Sequence, residues 1–257
     1  MTRNGHRGGA AGRGAGAAGA AGRGAAAARV AAGAALDLLL PPRCLGCGAP
    51  GAALCEFCVE GLRLLDRHLC ALCGAPRPRP GDERCRECRT RRLAFASARA
   101  AIAYDGTVRG FVGAWKERGV RGAAPLAAGL VLGVVPRPAV DVISWVPPDA
   151  DRALRRGHHP AERLARELAL RWGLPAAPLL ARRAGSRRQR GLARSERQAN
   201  VQGAFRAAAR RGPPPPPRIA IVDDVYTTGA TVSAAAAALL EAGAERVEVV
   251  TLARAVR

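Results

Sequence analysis

Two adjacent carboxylates and a hydroxyl-rich turn close one apolar run in segment 219–231, IAIVDDVYTTGAT. Residues 219–222 are short, apolar and mostly β-branched, as a strand buried on both faces should be. Asp223 and Asp224 follow, then Thr227, Thr228, Gly229 and Thr231, ahead of an alanine-rich helix expected to start near Thr231. Amides exposed at a helix N-terminus form a ready site for a phosphate, glycine lets the backbone come close, and threonine hydroxyls add donors. Two carboxylates beside that turn would repel a bare phosphate. They suit a ligand that also presents sugar hydroxyls or a bound magnesium ion. A ribose 5-phosphate meets both demands, with its phosphate in the threonine turn and its 2′- and 3′-hydroxyls at Asp223 and Asp224. The stretch lacks the G-x-x-x-x-G-K-[ST] pattern of a P-loop. An ordinary strand-to-helix turn with an N-cap accounts for one Thr or Asp, not for all thirteen residues.

The eight cysteines form a second constellation. All fall in four C-x-x-C pairs, Cys44/Cys47, Cys55/Cys58, Cys70/Cys73 and Cys85/Cys88, separated by 7, 11 and 11 residues. One such turn brings two thiolates to a metal, and two turns complete a tetrahedral site. Glycine follows the second cysteine in CLGCG and CALCG, where a tight knuckle must turn its amides toward the sulfurs. Sequential pairing is simplest, with Cys44/Cys47/Cys55/Cys58 on one zinc and Cys70/Cys73/Cys85/Cys88 on the other. An interleaved pairing satisfies the spacing as well. A disulfide scaffold is the competing reading, suited to a small secreted chain. It fits poorly here, beside a nucleotide-type motif and without an export signal. Eight thiolates would close both sites, so the zincs are expected to be structural rather than catalytic. Some 50 residues bury too little surface to fold without metal. The module reads as a structural appendage or as a grip for a partner. Its stretch RPRPGDERCRECRTRR is basic and exposed in character but has no interleaved aromatic for stacking on bases.

The elements that must hold these groups alternate along the rest of the chain. Segments 98–104, 139–146, 218–225 and 246–253 read as strands; segments 107–117, 124–135, 161–173 and 231–244 read as helices, the third amphipathic and the last stopped at Gly243. Such alternation implies βαβ units around a parallel sheet covered on both faces, with ligands at the carboxyl ends of the strands. Asp223 and Asp224 fall at one of those ends. The run of five prolines at 213–217 predicts a stiff polyproline spacer on the surface.

Composition adds limits. The chain has 257 residues and a formal charge of +21, and Lys116 is the sole lysine among 41 basic residues. Seventeen arginines against four acids lie between residues 151 and 218. Single-stranded DNA is one partner for such charge. Arginine enriched together with alanine, glycine and proline is equally the mark of GC-rich coding. No stretch of about 20 unbroken apolar residues spans a membrane. Residues 1–33, rich in Gly, Ala and Arg, cannot build a core and read as a disordered tail, or as the product of an upstream start codon. They resemble no signal peptide. A cytoplasmic protein is expected, with its oligomeric state open.

Segment 219–231 resembles the 5-phosphoribosyl 1-pyrophosphate (PRPP) signature of type I phosphoribosyltransferases. The wider chain, over roughly residues 36–257, resembles the ComF family of amidophosphoribosyltransferase-like competence proteins. LDLLLPPRCLGCG is similar to that family's opening, AIAYDGTVRGFVGAWKERG to its first strand and helix, WVPPDADRALRRG to its pyrophosphate loop, and QRGLARSERQANVQGAF to its flexible loop. The resemblance implies a double zinc ribbon over 36–93, holding two structural zincs. It also implies a Rossmann-like, parallel-sheet α/β domain of the type I phosphoribosyltransferase class over 96–257.

The resemblance assigns Val222, Asp223, Asp224, Val225, Tyr226, Thr227, Thr228, Gly229, Ala230 and Thr231 to PRPP, bound with magnesium. It assigns Pro147, Pro148, Arg152, Arg155 and Arg156 to the leaving pyrophosphate. Lys116 matches a basic family position, with a solvated helix end as the alternative. Gln189, Arg197 and Asn200 fall on the pattern of a mobile cover at 186–200, with a surface ion pair as the alternative for Arg197. The family shows Phe-Asn-Gln after the glycine that is Gly157 here, and this chain has His158, His159 and Pro160 instead. The expected activity is phosphoribosyl transfer to an acceptor that the motifs do not name, and no catalytic residue is singled out. The alternative is a non-catalytic PRPP sensor, or a protein that handles single-stranded DNA with DNA-uptake partners.

Overall fold

The computed structural model describes residues 42–76, 83–118, 120, 122–148, 158–183, 203–208 and 213–256. The strands are β1 (Ser97–Ala103), β2 (Val142–Trp145), β3 (Leu180–Arg182), β4 (Phe205–Ala207), β5 (Arg218–Tyr226) and β6 (Arg246–Arg254). The helices are α1 (Glu56–Glu60), α2 (Arg86–Thr90), α3 (Gly106–Arg118), α4 (Ala123–Val134), α5 (Pro160–Trp172) and α6 (Ala230–Glu241). A four-stranded parallel sheet runs in the order β1-β6-β5-β2, and β3 and β4 form a separate antiparallel pair. The protein is therefore α/β with a parallel sheet, as the alternation predicts.

Buried, apolar strands make this sheet, and helices cover both faces. Ala220, Val222, Val250 and Leu252 pack with α3, α4 and α5, while Ile219, Ile221, Val247 and Val249 pack with α6 and the hairpin. Helix α5 begins at Pro160, whose missing amide costs nothing at that position. It buries Leu164, Ala165, Leu168, Ala169 and Trp172 along one stripe. Gly173 ends it in the left-handed conformation, at φ 63°.

The connections leave β2 and β5 in opposite directions. From β2 the chain crosses over α5 and returns on the outer side of β2. There the Ile143 amide donates to the Pro175 carbonyl at 2.9 Å and the Ala177 amide to the Ile143 carbonyl at 3.0 Å, a short parallel rung. From β5 the chain crosses over α6, on the opposite face, to β6. Diverging connections open a crevice between the carboxyl ends of two neighbouring strands, the place where ligands bind in open α/β sheets.

The cysteine-bearing segment is joined to this sheet along the edge of β1. The Leu65 amide donates to the Ala101 carbonyl at 2.8 Å, the Ala103 amide to the Arg63 carbonyl at 2.8 Å, and the Ala98 amide to the Leu72 carbonyl at 2.7 Å. These bonds cover an edge that would otherwise invite pairing with another chain.

Two details depart from expectation. The hairpin β3–β4 was not foreseen: each strand has three residues, too few to show a period, and they lie more than twenty residues apart. Strand β5 continues past Val225 to Tyr226, and α6 opens at Ala230 rather than Thr231. The proline run lies at the surface, as expected, and its last carbonyl, that of Pro217, accepts from the Glu245 and Arg246 amides at 2.8 and 2.9 Å. The expected tail at 1–33 lies outside the described residues. Among the described residues no helix is long and apolar enough to cross a membrane.

Candidate functional site

Two cysteine tetrads are assembled, and their pairing is sequential. In Cys44/Cys47/Cys55/Cys58 and in Cys70/Cys73/Cys85/Cys88 the four sulfurs lie within 4.8 Å of one another. Cys47 Sγ and Cys55 Sγ are 3.6 Å apart, and Cys73 Sγ and Cys85 Sγ 3.7 Å. A disulfide would need about 2 Å. Four ligands at about 2.3 Å from one zinc stand at the spacing found here.

The knuckle amides face the sulfurs. Cys55 N donates to Cys44 Sγ at 3.4 Å, and Cys85 N to Cys70 Sγ at 3.3 Å. Burial alone would raise the Cys44 thiol, but amides of Cys47, Cys55 and Gly46 outweigh it and hold the thiol at about 6. Cys70 is held at about 7 by the same opposition, with burial against the amides of Cys73, Cys85 and Leu72. Burial and the neighbouring thiols push Cys58 and Cys88 far up. Without a cation each tetrad thus keeps protons on part of its sulfur. The donor set fits zinc, which takes thiolate and displaces those protons. All four positions of each site are filled by cysteine, which makes both sites structural.

The crevice between β2 and β5 holds a cavity of about 250 Å³. One wall is the end of β5 with the start of α6: Asp223, Asp224, Val225, Thr227 and Thr231. The facing wall is Val146, Pro147 and Pro148 after β2, with His158, His159, Pro160 and Ala161 leading into α5. Tyr104, Lys116 and Arg182 complete it.

Strand β5 carries both acids to this rim by losing its alternation. Ala220 and Val222 face one core and Ile219 and Ile221 the other, yet Val225 packs against the first and Tyr226 joins the second. The pairing with β6 omits Asp224 and keeps one register on either side of it, Asp223 with Thr251 and Val225 with Ala253. The parity change falls on the acidic pair, so neither carboxylate is driven into a core. The Asp224 amide donates to Asp223 Oδ1 at 2.9 Å.

The charges there are uneven. Lys116 Nζ lies 2.8 Å from Asp224 Oδ1, with both side chains largely covered. Burial, reinforced by the Asp224 charge, pushes the Asp223 carboxyl up to about 7, against the pull of Lys116. Arg182 donates through Nε to the Pro147 carbonyl at 3.1 Å and lies over the Phe205 ring, 4.7 Å from its centre. His158 Nε2 is 2.9 Å from the Trp115 carbonyl. His159 Nδ1 stands 3.5 Å from Glu162 Oε2, and burial pulls His159 down while Glu162 opposes it.

The turn before α6 is shaped for close approach. Gly229 is left-handed, at φ 77°, and a Cβ there would collide with the Tyr226 hydroxyl. Thr228 Oγ1 accepts from the Ala230 amide at 3.3 Å. The side chains of Val222, Tyr226, Thr228 and Ala230 do not line the cavity; with Gly229 they shape the backbone of the turn beside it.

The structure brings together Asp223, Asp224, Val225, Thr227, Thr231, Pro147, Pro148 and Lys116 from the expected set. The solvated helix end considered for Lys116 is replaced by its ion pair. Arg152, Arg155, Arg156, Gln189, Arg197 and Asn200 lie outside the described residues. Sequence reasoning missed Arg182 and Tyr104, and it read Arg91 as part of an exposed basic run. Arg91 instead donates to the Thr228 carbonyl at 2.7 Å. Nothing in the local pattern separates Arg182 and Arg91 from the other arginines, since only the hairpin and the ribbon's docking bring them to the site.

Residues 35–89 match the model of the double zinc ribbon domain. No curated protein is matched. Among solved structures, the chain is similar to a glutamine PRPP amidotransferase from B. subtilis complexed with ADP and GMP, at 22% identity and a TM-score of 0.33. That alignment covers 57% of this chain and 28% of the other, so this chain spans little more than a quarter of that protein's length.

Proposed function

We propose that the crevice binds PRPP or another ribose 5-phosphate compound, and that the chain is a ComF-like phosphoribosyltransferase whose acceptor is unassigned. The observation that carries this reading is the twin carboxylate at the end of β5, facing a 250 Å³ cavity beside a threonine-bearing helix N-terminus. In this reading Thr227, Thr231 and the first amides of α6 take the 5-phosphate. Asp223 and Asp224 accept hydrogen bonds from the ribose hydroxyls. Lys116 offsets the charge of Asp224, so the pair does not repel the ligand's phosphates outright.

Pro147, Pro148 and Arg182 stand on the opposite wall, where the pyrophosphate would lie. Arg152, Arg155 and Arg156 belong to the same loop in the sequence and would add positive charge. Gln189, Arg197 and Asn200 would belong to a cover that keeps water from the sugar.

Phosphoribosyl transfer passes through a state with positive charge at C1 of the sugar while pyrophosphate departs. Fixed positive groups near the leaving oxygens lower that barrier. Magnesium fits the donor set. Asp223 and Asp224 line the cavity, and once Asp223 ionises the two acids with one lysine leave a negative excess that a divalent cation would offset. The chemistry such an ion supplies when bound is neutralisation of the pyrophosphate charge.

The test is calorimetry of the zinc-loaded protein with PRPP and with ribose 5-phosphate, each with and without magnesium. A pyrophosphate-release assay against bases and amines runs beside it. Asp223→Asn combined with Asp224→Asn should weaken binding by about a hundredfold, the loss of two charge-assisted sugar contacts. Wild-type protein that takes up neither compound would end this reading. Binding without release for any acceptor would assign a sensing role instead.

A further inference from the structure

The two zinc tetrads are not equivalent. Cys70, Cys73 and Cys88 belong to the same buried cluster as Phe95, Tyr226 and Val232, the residues that underlie the turn before α6. No cysteine of the first tetrad is in that cluster. The first tetrad instead rests on the opening turns of α3, where Gly46 abuts Thr107 and Gly110, about 9 Å along the helix before Lys116.

Several contacts run from the second tetrad to the turn. Arg91, three residues after Cys88, donates to the Thr228 carbonyl at 2.7 Å. The Ala94 amide donates to Ser233 Oγ, in the first turn of α6, at 3.0 Å. Arg254 donates to the Cys73 carbonyl and stacks over the Tyr226 ring, 4.5 Å from its centre. Phe95 meets the same ring edge-on at 6.3 Å. The Tyr226 hydroxyl in turn lies against Gly229.

The Arg91 contact has a directional consequence. A trans peptide is planar, with its carbonyl and amide pointing to opposite sides. Holding the Thr228 carbonyl toward the ribbon turns the Gly229 amide away from it, toward the outer side of the turn. Rotation of that one peptide would move a donor out of the phosphate-binding wall.

We infer that the second zinc knuckle is a strut for the ligand turn, and that Arg91 is a positioning residue through which zinc at Cys70/Cys73/Cys85/Cys88 sets the geometry of residues 227–231. This rests on the proposed ribose 5-phosphate reading for what the turn binds, but not for the coupling itself. The first zinc stabilises the ribbon without orienting the turn.

The experiment uses full-length, zinc-loaded protein and two readouts: amide hydrogen exchange of residues 226–233 without ligand, and calorimetry with ribose 5-phosphate. Arg91→Ala should speed exchange in that segment and weaken ribose 5-phosphate binding, each by about tenfold, within the usual range of coupling between sites. Exchange in β2 should stay unchanged. Arg91→Lys, which keeps a donor, should recover part of both losses. Cys85→Ser should loosen the same segment, and Cys55→Ser should not. Wild-type exchange in 226–233 for Arg91→Ala, or equal loosening by Cys55→Ser and Cys85→Ser, would overturn the inference. If either cysteine variant fails to fold, the Arg91 pair still decides. Wild-type protein that ignores ribose 5-phosphate would remove the functional reading, while the exchange comparison would continue to judge the strut.

Discussion

Lys116 Nζ lies 2.8 Å from Asp224 Oδ1, tying the last turn of α3 to the end of β5. The chain's sole lysine is thus the counter-charge to one of two adjacent acids at the cavity. Lys116→Met would leave the largely covered Asp224 without that partner. The ligand-free protein should lose about 1–3 kcal/mol, and adding Asp224→Asn should restore most of it, because the cost is an uncompensated charge rather than lost packing. Urea unfolding of the single and double variants measures this.

The neighbouring acid sets a pH dependence. Asp223 is held at about 7 by burial and by the Asp224 charge, against an ordinary value of 3.8. The native state therefore keeps a proton that the unfolded chain releases. The resulting stability is fully present below about pH 4 and is lost as pH rises through about 7. Asp223→Asn keeps the acceptor for the Asp224 amide and removes the titration. It should leave ligand-free stability unchanged near pH 4 and raise it by on the order of 1–2 kcal/mol at pH 8, a value discounted for the acid's partial exposure. Thermal unfolding at the two pH values, without divalent cations, checks the sign.

Gly229 combines a left-handed backbone with contact to the Tyr226 hydroxyl. Gly229→Ala should cost about 1–3 kcal/mol and distort the ligand turn. Tyr226→Phe in the same chain removes the nearest colliding atom, but the ring carbon that bore it still crowds the new methyl and the backbone stays left-handed, so it should return only part of the loss. Denaturant midpoints of the wild type, Gly229→Ala and the double variant measure the share due to the hydroxyl.

Removal of metal should act on the ribbon first. A strong chelator should release two zinc ions per chain and loosen segment 42–93, because the module's own buried surface cannot replace the metal bonds. Reloading should release protons, since Cys58 and Cys88 are held far above their ordinary range by burial and neighbouring thiols. Metal analysis together with proton release in weak buffer measures both.

Much of this molecule was legible along the chain. The four sheet strands and four long helices fall within a few residues of the segments read from β-branched runs and helical periods, because each buries a long apolar stripe whose spacing repeats. Leu180–Arg182 and Phe205–Ala207 escaped because three residues hold no period. The hairpin they form is what carries Arg182 to the cavity. Spacing alone also left the pairing of the four C-x-x-C turns open, and the assembled sulfurs resolve it as sequential.

The acids, the threonine turn and the cysteines were determined by sequence, since their chemistry depends on neighbours one to four positions away. What faces them was decided by tertiary structure. Lys116, Arg182 and Arg91 reach the site from a helix end, a hairpin and the ribbon, over separations of 108, 41 and 137 residues from Asp224, Asp223 and Thr228. Such meetings depend on which way each crossover turns and which edge the ribbon covers. Those are properties of the packed sheet, on which no local pattern of residues bears.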